Sequence, residues 1–205
     1  LQIIEINAFA GTKINKISIP YHTKIISENA FHSCENLEIV EFPINSELRY
    51  IGKFAFNNTK IKKISIPFHV LEIFENAFNL CENLEYIEIP ENSELQSIGK
   101  YAFNETKIEK IYIPSKLVNL ETGWWFGAYY LRKILISPLN KNFEFKNDQF
   151  FLGKTNPKGD NFDVLLFAVH NIVKANVPSN IKIISTSAFS DCNDLINVDF
   201  PANSE

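Results

Sequence analysis

The sequence predicts a solenoid, in which short segments of the chain stack as coils and contribute parallel β-strands. Prolines that close an apolar triplet recur every 23 or 24 residues at Pro20, Pro43, Pro67, Pro90 and Pro114, and the spacing of 23 returns from Pro178 to Pro201. An Ala-Phe pair follows most of these prolines at a constant offset, as in "ENAF" at 75–78. Such a fixed period of 20 to 50 residues is typical of repeat architectures.

Each repeat carries a strand signal just before its proline. In the segment 84–90, Leu84, Ile87 and Ile89 are apolar and the last two alternate with polar residues, which is the period of a half-buried strand. Proline ends the strand because it has no N–H to donate. One coil cannot bury its apolar side chains alone, although each contributes about 1.5–3 kcal/mol when buried, so neighbouring coils must stack. We therefore expect eight parallel strands side by side.

Two forms of the repeat alternate, "IPFHVLEIFENAFNLCENLEYIEIP" at 66–90 and "IPENSELQSIGKYAFNETKIEKIYIP" at 89–114. This pattern resembles the BspA-like leucine-rich repeats of mucosal bacteria and of protists such as trichomonads, over essentially the whole chain. The resemblance implies a leucine-rich-repeat solenoid with parallel strands on the concave face and short strands and helical turns on the convex side. It also implies a surface or secreted protein that adheres to host cells or matrix proteins.

The repeat is interrupted once. Pro138 and Pro178 are 40 residues apart, and the stretch between them holds two apolar runs, "FFLG" and "FDVLLFAV", on either side of "KTNPKGDN". Because Asn-Pro and Gly-Asp favour turns, we expect a β-hairpin inserted within one repeat at 139–171. The chain begins and ends inside repeats, so we interpret 1–205 as a single solenoid excised from a longer protein.

Two tryptophans precede the interruption, in "GWWFG" at 123–127. By spacing, Trp124 takes the place of Ala77 and Trp125 that of Phe78. Two interpretations remain open. The tryptophans fill a gap beneath the hairpin, or they form an exposed aromatic patch for a partner or a glycan.

The outward side chains of the predicted strands form the natural binding surface of a solenoid. Lys110, Lys133 and Lys174 should fall on three successive strands without local negative charge. The candidate ligand-binding residues on this concave face are Lys110, Tyr112, Arg132, Lys133, Leu135 and Lys174. They are either a solvated row of cations or a site for an anionic ligand, such as a sulfated glycan or an acidic segment of a host protein.

The three cysteines, Cys34, Cys81 and Cys192, share one position of the repeat. Strands stack about 4.8 Å apart, so thiols two coils apart are too distant for a disulfide, and we expect buried, inert thiols.

Two sequons, at Asn57 and Asn104, also share one position. They predict N-glycosylation of a secreted protein, although Asn and Thr could serve the turn there instead.

The sequence offers little for catalysis, and we expect no enzyme, no cofactor and no metal site. None of the four histidines has a partner at metal-ligand spacing, and the seven glycines form no phosphate loop. The net charge of −4 argues against nucleic acid as a partner, and the longest apolar run, "VLLFAV", is too short to insert in a membrane. The sequence therefore favours a surface or secreted recognition module. The alternatives are an intracellular protein-interaction scaffold of the same fold and a passive stalk.

Overall fold

The repeats stack as coils of a solenoid in the computed structural model, which describes residues 1–202. Within those residues every regular element is a short β-strand. In chain order the strands are β1 (Ile3–Ile4), β2 (Lys16–Ser18), β3 (Ile25–Ile26), β4 (Ile39–Glu41), β5 (Tyr50–Ile51), β6 (Lys63–Ser65), β7 (Glu72–Ile73), β8 (Tyr86–Glu88), β9 (Ser97–Ile98), β10 (Lys110–Ile113), β11 (Asn119–Leu120), β12 (Lys133–Ile136), β13 (Glu144–Lys146), β14 (Phe150–Gly153), β15 (Val164–Ala168), β16 (Lys174–Asn176), β17 (Ile183–Ile184) and β18 (Asn197–Asp199). The predicted leucine-rich-repeat solenoid is confirmed.

The eight strands predicted before the prolines are all present, and we call them the long strands. They are β2, β4, β6, β8, β10, β12, β16 and β18. Ile87 in the middle of β8 is buried, whereas Tyr86 and Glu88 on either side of it are exposed, as the alternating pattern predicts. The outward residues of the long strands form one surface, which we call the long-strand face. This is the surface that the sequence analysis assigns to ligand binding.

Long strands pair in parallel only where the repeat is 23 residues long. Lys16 lies opposite Ile39, Lys63 opposite Tyr86 and Lys110 opposite Lys133. No ladder joins β4 to β6 or β8 to β10 within the described chain, and there the strands are 24 residues apart. The predicted row of strands is thus correct, but it is a row of hydrogen-bonded pairs and not one uninterrupted ladder.

The extra residue of the 24-residue repeats lies just before the strand. Lys107 N donates to Leu84 O over 2.9 Å, so these two residues are still in register 23 apart. Three positions separate Lys107 from Lys110, whereas two separate Leu84 from Tyr86, so one residue is left over. An extra residue on one strand disrupts the ladder locally, as in a β-bulge.

A second sheet holds the coils together without interruption. The two-residue strands β1, β3, β5, β7, β9 and β11 form one six-stranded parallel sheet. The second residue of most of these strands points into the core, for example Ile26, Ile51 and Ile98, each fully buried. Cohesion between coils across the β8–β10 joint therefore comes from this sheet and from the core.

The Ala-Phe turns form a third column. Phe9, Phe31, Phe56, Phe78 and Phe103 stack nearly parallel with ring centroids 5.2–5.6 Å apart. Backbone bonds accompany the stack, since Phe31 N donates to Ala55 O over 2.8 Å.

The expected helical turns are absent from residues 1–202, where these segments are turns. Each turn contains two residues with positive φ four positions apart, such as Asn76 (φ 57°) and Leu80 (φ 58°). A right-handed helix cannot continue through left-handed residues, which explains why the expectation was wrong.

The predicted hairpin is present and carries an additional strand. β14 pairs antiparallel with β15, and β13 adds to the other edge of β14. The beginning of β15 then pairs in parallel with β17, Val164 opposite Ile183, so the hairpin takes the place of a short strand of the preceding coil. These strands lie within the predicted limits 139–171, and they separate β12 from β16 along the chain.

Candidate ligand-binding face

The candidate site lies on the long-strand face around β8, β10 and β12. In the β10–β12 ladder, Lys110 lies directly opposite Lys133 and Tyr112 opposite Leu135. Both lysines are exposed, while Tyr112 and Leu135 are half-buried between the strands. The sequence placed these four residues together, and the structure does the same. Arg132 is exposed at the position just before β12.

Charge on the long-strand face is balanced at one end and unbalanced at the other. Lys16 Nζ lies 2.6 Å from Glu41 Oε1, and Ser18 Oγ donates to Glu41 Oε2 over 2.7 Å. These two hydrogen bonds lower the pKa of the Glu41 carboxyl. Among residues 1–202, no ion pair involves Lys110, Lys133 or Arg132. Like charges directly opposite on neighbouring strands are destabilising, so this pair carries a cost in the free protein.

A groove of about 610 Å³ opens at the joint between β8 and β10, where the ladder is interrupted. Ile87 and Ile89 contribute to its apolar lining, and its polar and aromatic lining includes Tyr86, Glu88, Lys107, Lys110, Tyr112 and Tyr130. A second depression of about 330 Å³ lies at the β4–β6 joint and is also lined by Tyr86. Tyr86 is 56% exposed and stands between the two depressions. Neither depression was predicted, although the spacing of 24 at both joints was visible in the sequence.

Lys174 does not belong to this site. It lies opposite Asn197 in the β16–β18 ladder and lines a separate depression with Asn147 and Gln149 from the β13–β14 turn. The prediction of three lysines on successive strands is therefore wrong. The reason is that the chain between β12 and β16 forms the inserted strands instead of an ordinary coil.

Trp124 and Trp125 are buried, with 1% and 5% of their surfaces exposed. Phe103 N donates to Trp124 O over 2.9 Å, the bond that elsewhere joins Phe78 N to Ala102 O, so Trp124 does occupy the alanine position. Its ring contacts Phe151 on β14, with centroids 6.4 Å apart, and Trp125 contacts Phe167 on β15 at 4.8 Å. The exposed aromatic patch is therefore wrong for these residues, because the inserted strands cover both rings.

The repeat sequence itself identifies the family. The sequence model described as the BspA type leucine rich repeat region matches residues 2–132 and 160–205, in six copies. The chain belongs to the BspA-type leucine-rich repeat family. The unmatched residues 133–159 hold β12, β13 and β14, where the regular repeat is interrupted. No curated protein matches this BspA-type chain.

Several solved structures share the fold of this BspA-type chain. The pneumococcal vaccine antigen PcpA superposes with a TM-score of 0.86 at 19% identity, over 98% of this chain and 50% of that one. A leucine rich cell surface protein from Faecalibacterium prausnitzii superposes with a TM-score of 0.74 at 21% identity, over 98% of this chain and 59% of that one. A leucine-rich repeat protein from Eubacterium ventriosum gives 0.73 at 21%, over 91% and 50%. The chain thus spans half to three fifths of these proteins.

The cysteines of the BspA-type chain are free thiols, and Cys34 and Cys81 are buried. The thiol of Cys81 donates to Phe56 O over 3.1 Å and lies 3.3 Å from Thr59 Oγ1, so it satisfies a carbonyl of the preceding coil. Burial raises the pKa of Cys81 to about 11, and burial, with the charge of Asp191 second, raises that of Cys192 to about 11. Thiols with such pKa values are poor nucleophiles and poor metal ligands near neutral pH.

The two sequons differ in accessibility. Asn57 is 4% exposed and its Nδ2 donates to Asn79 O over 3.0 Å, so a glycan on this nitrogen would displace a buried hydrogen bond. Glycosylation of Asn57 therefore does not fit the folded chain. Asn104 is half-buried, and its Nδ2 donates to Asn79 Oδ1 over 2.7 Å. Its glycosylation stays a prediction.

Within residues 1–202, no group of three or more His, Cys, Asp or Glu side chains is arranged to hold a metal ion. The same residues contain no helix with the length and hydropathy needed to cross a membrane.

Proposed function

We propose that this chain is a non-enzymatic binding module of a surface or secreted protein, and that it adheres to host cells, matrix proteins or glycans through the long-strand face. The observation that carries the proposal is the opposed pair Lys110 and Lys133, exposed and without an ion-pair partner in residues 1–202. An anionic ligand laid across β10 and β12 would neutralise both lysines at once.

The proposal rests on the contrast between the two halves of the face. Where lysine meets the first pairs of strands, a carboxylate or a neutral residue lies opposite, as with Lys16 beside Glu41 and Lys63 opposite Tyr86. At β10 and β12 two cations face each other and Arg132 adds a third nearby. An unfavourable arrangement in the free protein that a ligand relieves is a common feature of binding sites, since the attraction then appears only in the complex.

Surface placement is supported by the company this chain keeps. The family is one of leucine-rich repeats, whose extended surfaces serve recognition. One of the solved structures that share its fold is described as a cell surface protein and another as a vaccine antigen, which are descriptions of those proteins. An intracellular scaffold would use the same fold on cytosolic partners, and it is the alternative that the experiments below separate.

Binding is tested with immobilised heparin as a polyanion, at low and at physiological salt. We expect the chain to be retained, and the double variant Lys110→Ala, Lys133→Ala to elute at much lower salt, because each removed contact reduces the salt dependence of binding. Lys158→Ala is the matched control, since Lys158 is exposed on the insertion and lies outside the groove. Equal retention of the double variant and the control would refute the role of this face.

Placement is tested separately by antibody staining of intact and permeabilised cells of the native organism. Staining of intact cells supports the surface module. Staining that requires permeabilisation supports the intracellular scaffold instead.

A further inference from the structure

The groove at the β8–β10 joint has features that the lysine pair alone does not explain. We propose that it is a carbohydrate subsite that takes a polysaccharide chain bearing acidic groups. This inference rests on the proposed function, because it names the class of anionic ligand that the lysines would bind. It assigns roles to Tyr86, Tyr112 and Tyr130, which the charge argument does not use.

The first feature is the presence of aromatic walls. Tyr86 is 56% exposed and Tyr130 is 43% exposed, and both line the groove. Neither ring contacts another aromatic ring among the described residues, so their faces are available to a ligand. Tyrosine offers a rigid apolar face with a polar hydroxyl at its tip, which suits a molecule that is apolar on its ring face and polar at its rim. A sugar ring has these properties.

The second feature is the mixture of charges in the groove. Glu88 and Glu109 lie in the same lining as Lys107 and Lys110. Carboxylates accept hydrogen bonds from hydroxyl groups, and lysines donate to sulfate or carboxylate oxygens. An acidic polysaccharide carries hydroxyls and anionic groups within one repeating unit and can satisfy both kinds of side chain. A uniformly acidic peptide segment would place its own carboxylates against Glu88 and Glu109, which would repel it.

The third feature is an unpartnered hydroxyl. The Tyr112 hydroxyl oxygen is buried and has no hydrogen-bond partner among the described residues, and Tyr112 lines the groove. Buried polar groups are normally paired, because an unpaired one lowers stability. A ligand hydroxyl in the groove would supply the missing partner.

The geometry also gives the direction of the bound chain. Tyr86 lines the depressions at both interrupted joints, whereas Leu135 lines the groove from β12. A ligand in contact with Tyr86, Tyr112 and Lys133 therefore runs across the strands from β8 to β12. Two strand spacings amount to roughly 10 Å, so the groove and the lysine pair would accommodate a short oligosaccharide.

The experiment uses four probes: a heparin oligosaccharide, a hyaluronate oligosaccharide, polyglutamate and uncharged dextran. Affinities are measured by titration for the chain, for the double variant Tyr86→Ala, Tyr130→Ala, and for Tyr21→Ala as the control. Tyr21 is 43% exposed and lies outside the groove. We expect the double variant to weaken oligosaccharide binding by about tenfold or more, and Tyr21→Ala to leave it unchanged.

The comparison between probes decides the ligand class. Binding of heparin alone supports a sulfated sugar, and binding of both acidic oligosaccharides supports one in which carboxylates suffice. Binding of polyglutamate with equal affinity, unaffected by loss of the two tyrosines, would overturn the carbohydrate assignment and leave the proposed function in place. If no polyanion responds to Lys110→Ala and Lys133→Ala, the proposed function itself fails.

Two controls protect the result against misfolding. Both tyrosines are exposed, so their variants should melt at the temperature of the unmodified chain. The variant Tyr86→Phe keeps the ring and should keep most of the affinity. A loss with Tyr86→Phe as large as with Tyr86→Ala would show that the ring face is not the contact, which contradicts the proposal.

Discussion

Phe103 and Trp124 are joined by the same backbone hydrogen bond that joins Phe78 to Ala102, but their side chains pack differently. The rings of Phe78 and Phe103 are nearly parallel, with an interplanar angle of 9°, whereas those of Phe103 and Trp124 meet at 82°. Trp124 thus ends the phenylalanine column. Its ring is the platform on which the inserted strands rest, through Phe151.

Replacement of this platform should destabilise the chain strongly. We expect Trp124→Ala to lower the free energy of unfolding by about 3–5 kcal/mol, because a large buried ring is lost and a cavity remains. Urea unfolding followed by circular dichroism measures the change, with Tyr21→Ala as an exposed aromatic control. A loss below about 1 kcal/mol would contradict the packing role.

Gly127 should resist substitution more than Gly11 does. Both have positive φ, 71° and 68°, but a Cβ on Gly127 would lie 2.8 Å from Asn104 Oδ1, whereas one on Gly11 would meet no atom within 4 Å. We expect Gly11→Ala to cost about 1 kcal/mol from backbone strain and Gly127→Ala to cost more, since strain and a clash combine. Thermal unfolding of the two variants tests this. Equal losses would mean that Asn104 moves aside freely.

Stability should fall on mild acidification because of His170. This side chain is 8% exposed and packs against Phe167 at 5.3 Å, and burial lowers its pKa, with Asp191 opposing. The unfolded chain then binds a proton near pH 6.5, while the folded chain binds it only at lower pH. The free energy of unfolding should therefore decrease as the pH falls below about 6.5 towards the folded-state pKa.

The variant His170→Gln should remove this part of the pH dependence. His22→Gln is the control, because the side chain of His22 is 68% exposed. Denaturant titrations between neutral and mildly acidic pH compare the slopes. An unchanged slope in His170→Gln would assign the acid sensitivity to another group.

Asp163 should stabilise the insertion at neutral pH and cease to do so in acid. Its carboxylate accepts hydrogen bonds from Thr155 N at 2.8 Å and Thr155 Oγ1 at 2.7 Å, and Lys182 Nζ lies 3.4 Å away. These contacts, the bonds from Thr155 first, lower the pKa of Asp163 to about 2. The stabilisation is complete above the unfolded value near 3.9 and is lost as the pH falls towards about 2.

We therefore expect Asp163→Asn to be less stable than the unmodified chain at pH 7 and nearly equal to it near pH 2. Thermal melts at several pH values provide the measurement. Asp160→Asn, an exposed change on the same loop, should show no such difference. A difference between Asp163→Asn and the unmodified chain that does not vary with pH would contradict the ionic role.

The sequence by itself determined the parts of this protein that depend on local periodicity. The alternation around Ile87, the proline stops and the Ala-Phe spacing predicted the coils, the eight long strands and the outward position of Lys110 and Lys133. These features follow from which side of a strand each residue occupies, and the period of two is visible in one repeat. The replacement of Ala by Trp124 was visible for the same reason.

Tertiary structure alone decided what depends on how coils meet. The spacing of 24 was visible in the sequence, but its consequence, an open joint between β8 and β10 lined by Tyr86 and Tyr130, required the positions of both strands. The path of the insertion removed Lys174 from the lysine row and buried Trp124, because β14 and β15 pair with each other and cover the ring. Long-range pairing of this kind is set by contacts between distant residues, and no local pattern of the chain encodes it.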